Sequence, residues 1–223
     1  MEGRLTEISL KEALRYLGVR DAPDPQLAAA MEKCSALLRS RARPRITWRQ
    51  FSLGEDLRLE GTSFFLPGQD IRRHLSCCLR VILLAATLGM ETELLLRQTQ
   101  SRSMADAVLL DALASAAVEN VTDNLCRDLA AEFAPLHLTP RYSPGYGDFP
   151  LEAQREVCEL LNVHRLLGVS LTAGGLMIPQ KTVTALAGLT GDPPEKSPRP
   201  RCEACPLAGG CSYRKEDRTC ESC

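Results

Sequence analysis

Residues 103–133, with the sequence SMADAVLLDALASAAVENVTDNLCRDLAAEF, decide the fold. The segment is rich in alanine, and its apolar residues recur at the three- and four-residue spacing of an α-helix. Small side chains allow a neighbouring element to approach such a helix closely. We therefore predict one long helix with a buried face, formed by Leu110, Leu113, Ala117, Val121 and Leu125.

Two helices and two strands are predicted in the first third of the chain. Residues 10–18 form a helical pattern that Ser9 can cap, and a second helical pattern runs through residues 24–40. Residues 45–53 alternate between polar and apolar side chains, and residues 61–68 lie between turn-forming residues. Each of these two segments favours a strand.

The segments on either side of the long helix complete the predicted fold. Residues 68–100 have an overwhelmingly helical pattern, which Asp70 can cap and Gly89 would break or bend. Residues 150–162 predict a helix, and residues 168–189 contain short runs typical of strands. Helices and antiparallel strands segregate rather than alternate. The predicted fold class is therefore α+β, with long helices packed on a small antiparallel, twisted β-sheet.

The composition divides the chain into four regions. Residues 1–69 form an N-terminal helical and β segment, and residues 70–189 form the core. Residues 190–201 contain four prolines and no apolar residue, which is typical of a linker. Residues 202–223 form a cysteine-rich tail.

Charge and hydropathy exclude several classes of function. With 27 Lys and Arg residues against 28 Asp and Glu residues, the formal net charge is −1. The chain therefore has no electrostatic footprint for nucleic acid or for an anionic membrane. No apolar run is long enough to span a bilayer, and the charged N-terminus lacks the apolar core of a signal peptide. We expect a cytoplasmic protein that binds neither nucleic acid nor membranes.

The tail carries a metal-binding pattern. Its five cysteines have the spacing C-x2-C-x5-C-x8-C-x2-C. The two outer CxxC pairs suit tetrahedral zinc, whereas the first three cysteines with one later cysteine suit an iron–sulfur cluster. Free thiolates that collect metal only after purification are a third interpretation. The sequence leaves the metal open and predicts as its ligands Cys202, Cys205, Cys211, Cys220 and Cys223.

The decapeptide RYSPGYGDFP at residues 141–150 is unusual for a connector. Arg141 offers a planar fork suited to a carboxylate, and Gly145 lets a ligand meet the backbone directly. Tyr146 presents an aromatic face that attracts a cation. Together these residues suit a small zwitterion with an extra positive centre. A rigid surface turn with a salt-bridged arginine and a packed tyrosine accounts for the same residues.

Three motifs resemble the S-adenosylmethionine-binding activation domain of cobalamin-dependent methionine synthase. The segment R-Y-S-P-G-Y resembles the family signature R-x-x-x-G-Y, and the helix with AAVEN resembles the family's long helix. The stretch LGVSLTAGGLMIPQKTVTALAGL resembles a family stretch of the form G-x-x-L-T-x-x-x-M-x-P-x-x-S-V-S-G. The resemblance is clearest over residues 70–190. Near the N-terminus, EALRYLG looks like the start of the free-standing members.

The resemblance implies a role for five residues in binding S-adenosylmethionine. Arg141 would clamp the methionyl carboxylate, and Ser143 and Gly145 would contribute backbone contacts. Tyr146 would lie against the ligand. Glu119 would contact the polar portion of the ligand from the long helix.

Two features of the sequence limit the resemblance. Ser115, Glu119 and Asp123 form an i, i+4 stripe that a solvated helix face would also show. The family usually has a proline after its Gly-Tyr pair, whereas this chain has Gly147 and Asp148. These departures predict weaker binding or a more open pocket than in the parent enzyme.

The resemblance also implies a function. The chain would be an accessory component that supports reductive methylation of cob(II)alamin on a partner, either a methionine synthase or another corrinoid protein. The partner would carry the cobalamin, and a separate donor would supply the electron. A sulfonium is already a good leaving group, so we predict no catalytic acid, base or nucleophile and expect a positional role. The alternative is a non-enzymatic metal-binding adaptor that docks a partner through a zinc tail.

Overall fold

The structure is a computed structural model and describes residues 1–19 and 21–192. In chain order the elements are α1 (Leu10–Tyr16), α2 (Pro25–Arg41), β1 (Arg45–Ser52), α3 (Gln69–His74), β2 (Arg80–Thr87), α4 (Met90–Gln100), α5 (Met104–Glu132), β3 (His137–Leu138), a 3-10 turn (Leu151–Ala153), α6 (Gln154–Leu160), α7 (Val163–Leu167), β4 (Ser170–Leu171), β5 (Met177–Ile178) and β6 (Thr182–Thr190). Helices pack against a four-stranded antiparallel sheet with the strand order β1-β2-β6-β3, and β4 and β5 form a separate two-stranded sheet. The predicted α+β class is confirmed.

The central strand β2 shows that the helical prediction for residues 68–100 is wrong in its middle third. β2 pairs with β1 on one side and with β6 on the other, and seven of its eight residues are buried. A strand that is covered on both faces is apolar throughout and does not alternate. Its sequence therefore cannot be distinguished from a buried helix by periodicity. Helices form only on either side of this strand, as α3 and α4.

The strand predicted at residues 61–68 is also wrong. This segment makes one isolated antiparallel bridge, between Phe65 and Arg58. Its backbone hydrogen bonds go to other residues of the loop between β1 and α3. For example, the Leu66 N–H donates to the Leu57 carbonyl at 3.0 Å. A segment whose hydrogen bonds are satisfied locally does not need a neighbouring strand.

The other helices and the first strand form as predicted. Ser9 caps α1 by accepting a hydrogen bond from the Glu12 N–H at 3.2 Å, and Ser103 caps α5 through the Asp106 N–H at 3.2 Å. β1 forms over the alternating residues, and the 3-10 turn and α6 form where a helix is predicted near residue 150.

The helix α5 lies across one face of the sheet. All five residues of its predicted buried face are at most 3% exposed. Ile82 and Leu84 of β2 pack against Leu125 of this helix, whereas Leu83 points to the opposite face. That opposite face is covered by α3, α6 and α7. Since α1, α2 and α4 also pack on α5, the first 69 residues join the same body as the core.

Candidate functional site

Arg141 lies against the solvent-facing side of α5. Its Nη2 is 3.1 Å from Glu119 Oε2 and 2.7 Å from Asp123 Oδ1. Glu119 and Asp123 are four residues apart on a helix, so their carboxylates are neighbours. The Arg141 side chain is 25% exposed. One guanidinium is therefore shared by two carboxylates at the surface of the protein.

Backbone pairing with β6 fixes the position of Arg141. The chain leaves β3 and continues along β6, where the Thr139 N–H donates to the Gly188 carbonyl at 2.9 Å. Tyr142 and Leu186 then exchange two backbone hydrogen bonds, both of 2.9 Å. Side chains alternate along an extended segment, so Arg141 faces α5 while Tyr142 faces the opposite side of the sheet.

Tyr142 anchors an aromatic cluster on that opposite side. Its ring centroid lies 5.0 Å from His74, 5.9 Å from Tyr146 and 6.4 Å from Phe149. His74 Nε2 is 2.9 Å from the Pro140 carbonyl oxygen, which only accepts, so this nitrogen carries a proton. Burial lowers the pKa of His74 and favours the neutral ring. The segment around Tyr142 is thus held by ring packing as well as by its backbone hydrogen bonds to β6.

Residues 143–149 form a tight turn that presents Gly145 and Tyr146 to solvent. The Gly145 N–H donates to the Phe149 carbonyl at 2.8 Å, and the Tyr146 N–H donates to the Ser143 carbonyl at 3.1 Å. Gly145 has a positive φ of 92°, which favours glycine. Tyr146 is 57% exposed. Because both N–H groups are engaged inside the turn, a ligand would meet other backbone atoms of Ser143 and Gly145.

Asp148 joins this turn to the N-terminus of α3. Its carboxylate accepts hydrogen bonds from the N–H groups of Gln69 at 2.6 Å and Asp70 at 3.0 Å. The prediction that Asp70 caps this helix is therefore wrong, because Asp70 lies inside α3 and the capping carboxylate comes from another part of the chain. The N-cap position itself, Gly68, makes no side-chain cap.

A second basic residue contacts the same face of α5. Lys181 Nζ is 2.8 Å from Asp111 Oδ1 and 2.9 Å from Ser115 Oγ, and the Lys181 side chain is 13% exposed. Asp111 and Ser115 continue the i, i+4 stripe of Glu119 towards the start of the helix. Lys181 and Asp111 were not predicted from the sequence. Asp111 could have been found by extending the i, i+4 stripe one helical turn before Ser115.

We use the term groove for the partly exposed surface between α5 and residues 141–149, where Arg141 meets Glu119 and Asp123. A depression of about 630 Å³ lies between α1 and α2, and none of its lining residues belongs to the site. Within the described residues, no group of His, Cys, Asp or Glu side chains is arranged to hold a metal ion, and no helix there is both long and apolar enough to cross a bilayer.

The predicted metal site and most of the predicted linker lie outside the described residues. The metal site and the adaptor interpretation that depends on it therefore stay predictions. The candidate ligands concerned are Cys202, Cys205, Cys211, Cys220 and Cys223.

Comparison with solved structures identifies the fold. A crystal structure of the MetH reactivation domain bound to AdoHcy matches this chain with a TM-score of 0.57 and 15% sequence identity. The match covers 86% of this chain and 78% of that chain. No protein-family model matches the sequence, and no curated protein matches it. The resemblance to the methionine synthase activation domain is thus confirmed at the level of the fold.

Proposed function

We propose that the chain binds S-adenosylmethionine in the groove between α5 and residues 141–149. In this role it supports the reductive methylation of cob(II)alamin carried by a partner methionine synthase. Three independent observations support the proposal: the fold of a reactivation domain, the three sequence motifs, and the distribution of charge in the groove.

The balance of charge in the groove is the observation that carries the proposal. S-adenosylmethionine has one carboxylate and two positive centres, an ammonium and a sulfonium. The groove offers the complement, one guanidinium on Arg141 and two carboxylates on Glu119 and Asp123. A ligand carboxylate on Arg141 would leave both protein carboxylates to neutralise the two cations, since charge-assisted hydrogen bonds are the stronger ones.

Arg141 keeps donors for a ligand carboxylate. Both of its ion pairs use Nη2, and among the described residues Nε and Nη1 have no partner. A carboxylate forms two parallel hydrogen bonds with a guanidinium along an edge that includes Nη2, together with either Nε or Nη1, so the ligand would displace Glu119 or Asp123 from Nη2. The exposed ring of Tyr146 packs beside Tyr142 on the side of the segment away from α5, where it offers an aromatic face to the part of the ligand that extends past the turn.

The role of the chain in this reaction is positional. When bound, S-adenosylmethionine supplies a methyl group on a sulfonium, which departs as a neutral thioether. One electron from an outside donor and the methyl cation together convert cob(II)alamin to methylcobalamin. Arg141 and Glu119 hold the amino-acid end, so that the methyl group keeps one orientation towards the partner. Such fixed geometry can supply about 7–11 kcal/mol of the barrier.

A reconstituted assay tests this function. A methionine synthase that lacks its own activation domain is loaded with cob(II)alamin and mixed with the chain, a reductant and S-adenosylmethionine. We expect the absorbance of methylcobalamin to appear only in the complete mixture and to form far more slowly with Arg141→Ala. An absence of methylcobalamin with the wild-type chain, when an intact methionine synthase is reactivated under the same conditions, would contradict the proposal.

A further inference from the structure

We infer that Asp148 and Asp70 are positioning residues for the ligand site. The two carboxylates clasp the turn at residues 143–149 onto α3 and thereby hold Gly145 and Tyr146 in their binding geometry. This inference rests on the proposed function, because it assigns a role to residues that support the same site without touching its ligand.

The clasp consists of reciprocal hydrogen bonds. Asp148 accepts from the N–H groups of Gln69 at 2.6 Å and Asp70 at 3.0 Å. In the other direction, the Asp148 N–H donates to Asp70 Oδ2 at 3.2 Å. The first N–H groups of a helix have no partner within the helix, and α3 has no side-chain cap of its own. The Asp148 carboxylate thus caps the N-terminus of α3, and the Asp70 carboxylate of α3 in turn binds the backbone of the turn.

Two glycines make this close approach possible. Gly147 has a φ of +52°, and a Cβ there would overlap Asp70 Oδ2 and lie 2.6 Å from Tyr142 Oη. Gly68 has a φ of +119°, and a Cβ there would lie 3.1 Å from the Asp148 carbonyl oxygen. The two sides of the clasp therefore fit only where neither glycine carries a side chain.

Both carboxylates of the clasp have close partners. Arg73 forms an ion pair with Asp70 one helical turn along α3. The backbone N–H groups of Gln69 and Asp70 lower the pKa of Asp148. The clasp therefore stays closed at neutral pH, when an S-adenosylmethionine-binding protein would work.

The clasp acts on the ligand site through the turn itself. Phe149 follows Asp148 directly, is buried at 1% exposure, and accepts the Gly145 N–H at 2.8 Å. A displacement of Asp148 is therefore transmitted to Gly145 and Tyr146 through one hydrogen bond.

Three variants of the full chain test the inference. Asp148→Ala removes both accepting oxygens of the clasp, and Asp148→Asn keeps one of the two, since an amide has a single oxygen acceptor. Asp24→Ala is the matched control, because Asp24 caps α2 through the Leu27 N–H at 2.8 Å and lies outside the site. For each protein, calorimetry gives the Kd for S-adenosylmethionine, and hydrogen exchange gives the protection of the Gly145 N–H.

A turn that holds its binding geometry about a tenth of the time gives an apparent Kd about tenfold higher. We expect this increase and faster exchange at Gly145 in Asp148→Ala. Asp24→Ala should show neither change, and Asp148→Asn should raise the Kd less than Asp148→Ala because it keeps one of the two acceptors. An unchanged Kd in Asp148→Ala, with the wild type binding normally, would overturn the inference alone. A wild-type chain that does not bind S-adenosylmethionine would overturn the proposed function and this inference with it.

Discussion

Arg141 Nη2 lies 3.1 Å from Glu119 Oε2 and so joins the segment beside β6 to the middle of α5. The contact brings together two residues that are far apart in the sequence, and it forms one wall of the groove. Asp123 extends the same wall by one helical turn. The charges in this wall lead to the first prediction.

Glu119→Gln removes one negative charge from the groove and keeps the shape of the side chain. We expect the Kd for S-adenosylmethionine to rise about tenfold, or about 1.4 kcal/mol, because the ligand ammonium loses a charged partner. Calorimetric titration measures the change. Glu132→Gln, at the exposed end of the same helix, is the control and should bind like wild type. Equal affinities for the two variants would remove Glu119 from the site.

Gly147→Ala should destabilise the protein more than Gly61→Ala. Both glycines have a positive φ, at 52° and 78°, so both substitutions strain the backbone by about 1 kcal/mol. Only the Cβ at Gly147 also meets Asp70 and Tyr142, whereas nothing lies within 4 Å at Gly61. Urea denaturation should show a further loss of about 1–3 kcal/mol in the free energy of unfolding for Gly147→Ala. Equal losses would show that the turn is not tightly fitted.

The stability of the protein should depend on pH through Asp148. Backbone hydrogen bonds from Gln69 and Asp70 lower its pKa below the ordinary value of 3.8. Because the pKa is lower in the folded state, the carboxylate stabilises the fold above about pH 4 and loses that effect as pH falls through the folded-state pKa.

Thermal unfolding of wild type and Asp148→Asn measures this effect from about pH 7 down to about pH 2.5. The gap in Tm should be constant near neutral pH and close below about pH 4. The charged and titratable groups that face Asp148 are Asp70, Arg73 and Tyr142. The attraction of Arg73 also lowers the pKa of Asp148, so its loss in Asp148→Asn is part of the gap. A gap that does not change with pH would mean that the Asp148 charge has no structural role.

The cysteine tail predicts bound metal. We expect anaerobically purified protein to contain zinc or iron that is lost when both Cys202 and Cys205 are replaced by serine, because removal of two ligands opens the site. Elemental analysis measures the metal. The affinity for S-adenosylmethionine should not change, since the Arg141 groove is formed by other residues. Metal content that is equal in both proteins would contradict the tail site.

How far the sequence predicts the fold depends on the burial of each element. The helix α5 is predictable because its helical pattern continues over 29 residues, which is far longer than a strand. β2 is not predictable in this way, because covering both faces of a strand removes the alternation that identifies it. Sequence alone therefore identifies a long buried helix, but it does not separate a short buried strand from a helix.

The candidate site shows a similar division. Arg141, Gly145 and Tyr146 are predicted together because they belong to one short motif, and their role in binding stays a prediction. Asp148 and Lys181 are not identified, because their partners belong to α3 and α5 and depend on how those helices pack. A contact between residues far apart in the chain leaves no local sequence pattern from which it could be predicted.

Calorimetric titration of S-adenosylmethionine into wild type, Arg141→Ala and Arg4→Ala tests the central claim most directly. Arg4 is a matched control, because it pairs with Asp128 on the same helix and is largely exposed. 5′-Methylthioadenosine, which lacks the amino-acid end, is the control ligand. We expect Arg141→Ala to weaken S-adenosylmethionine binding by roughly 2–5 kcal/mol, Arg4→Ala to bind like wild type, and 5′-methylthioadenosine to bind both variants equally. Equal affinity of wild type and Arg141→Ala for S-adenosylmethionine would contradict the account.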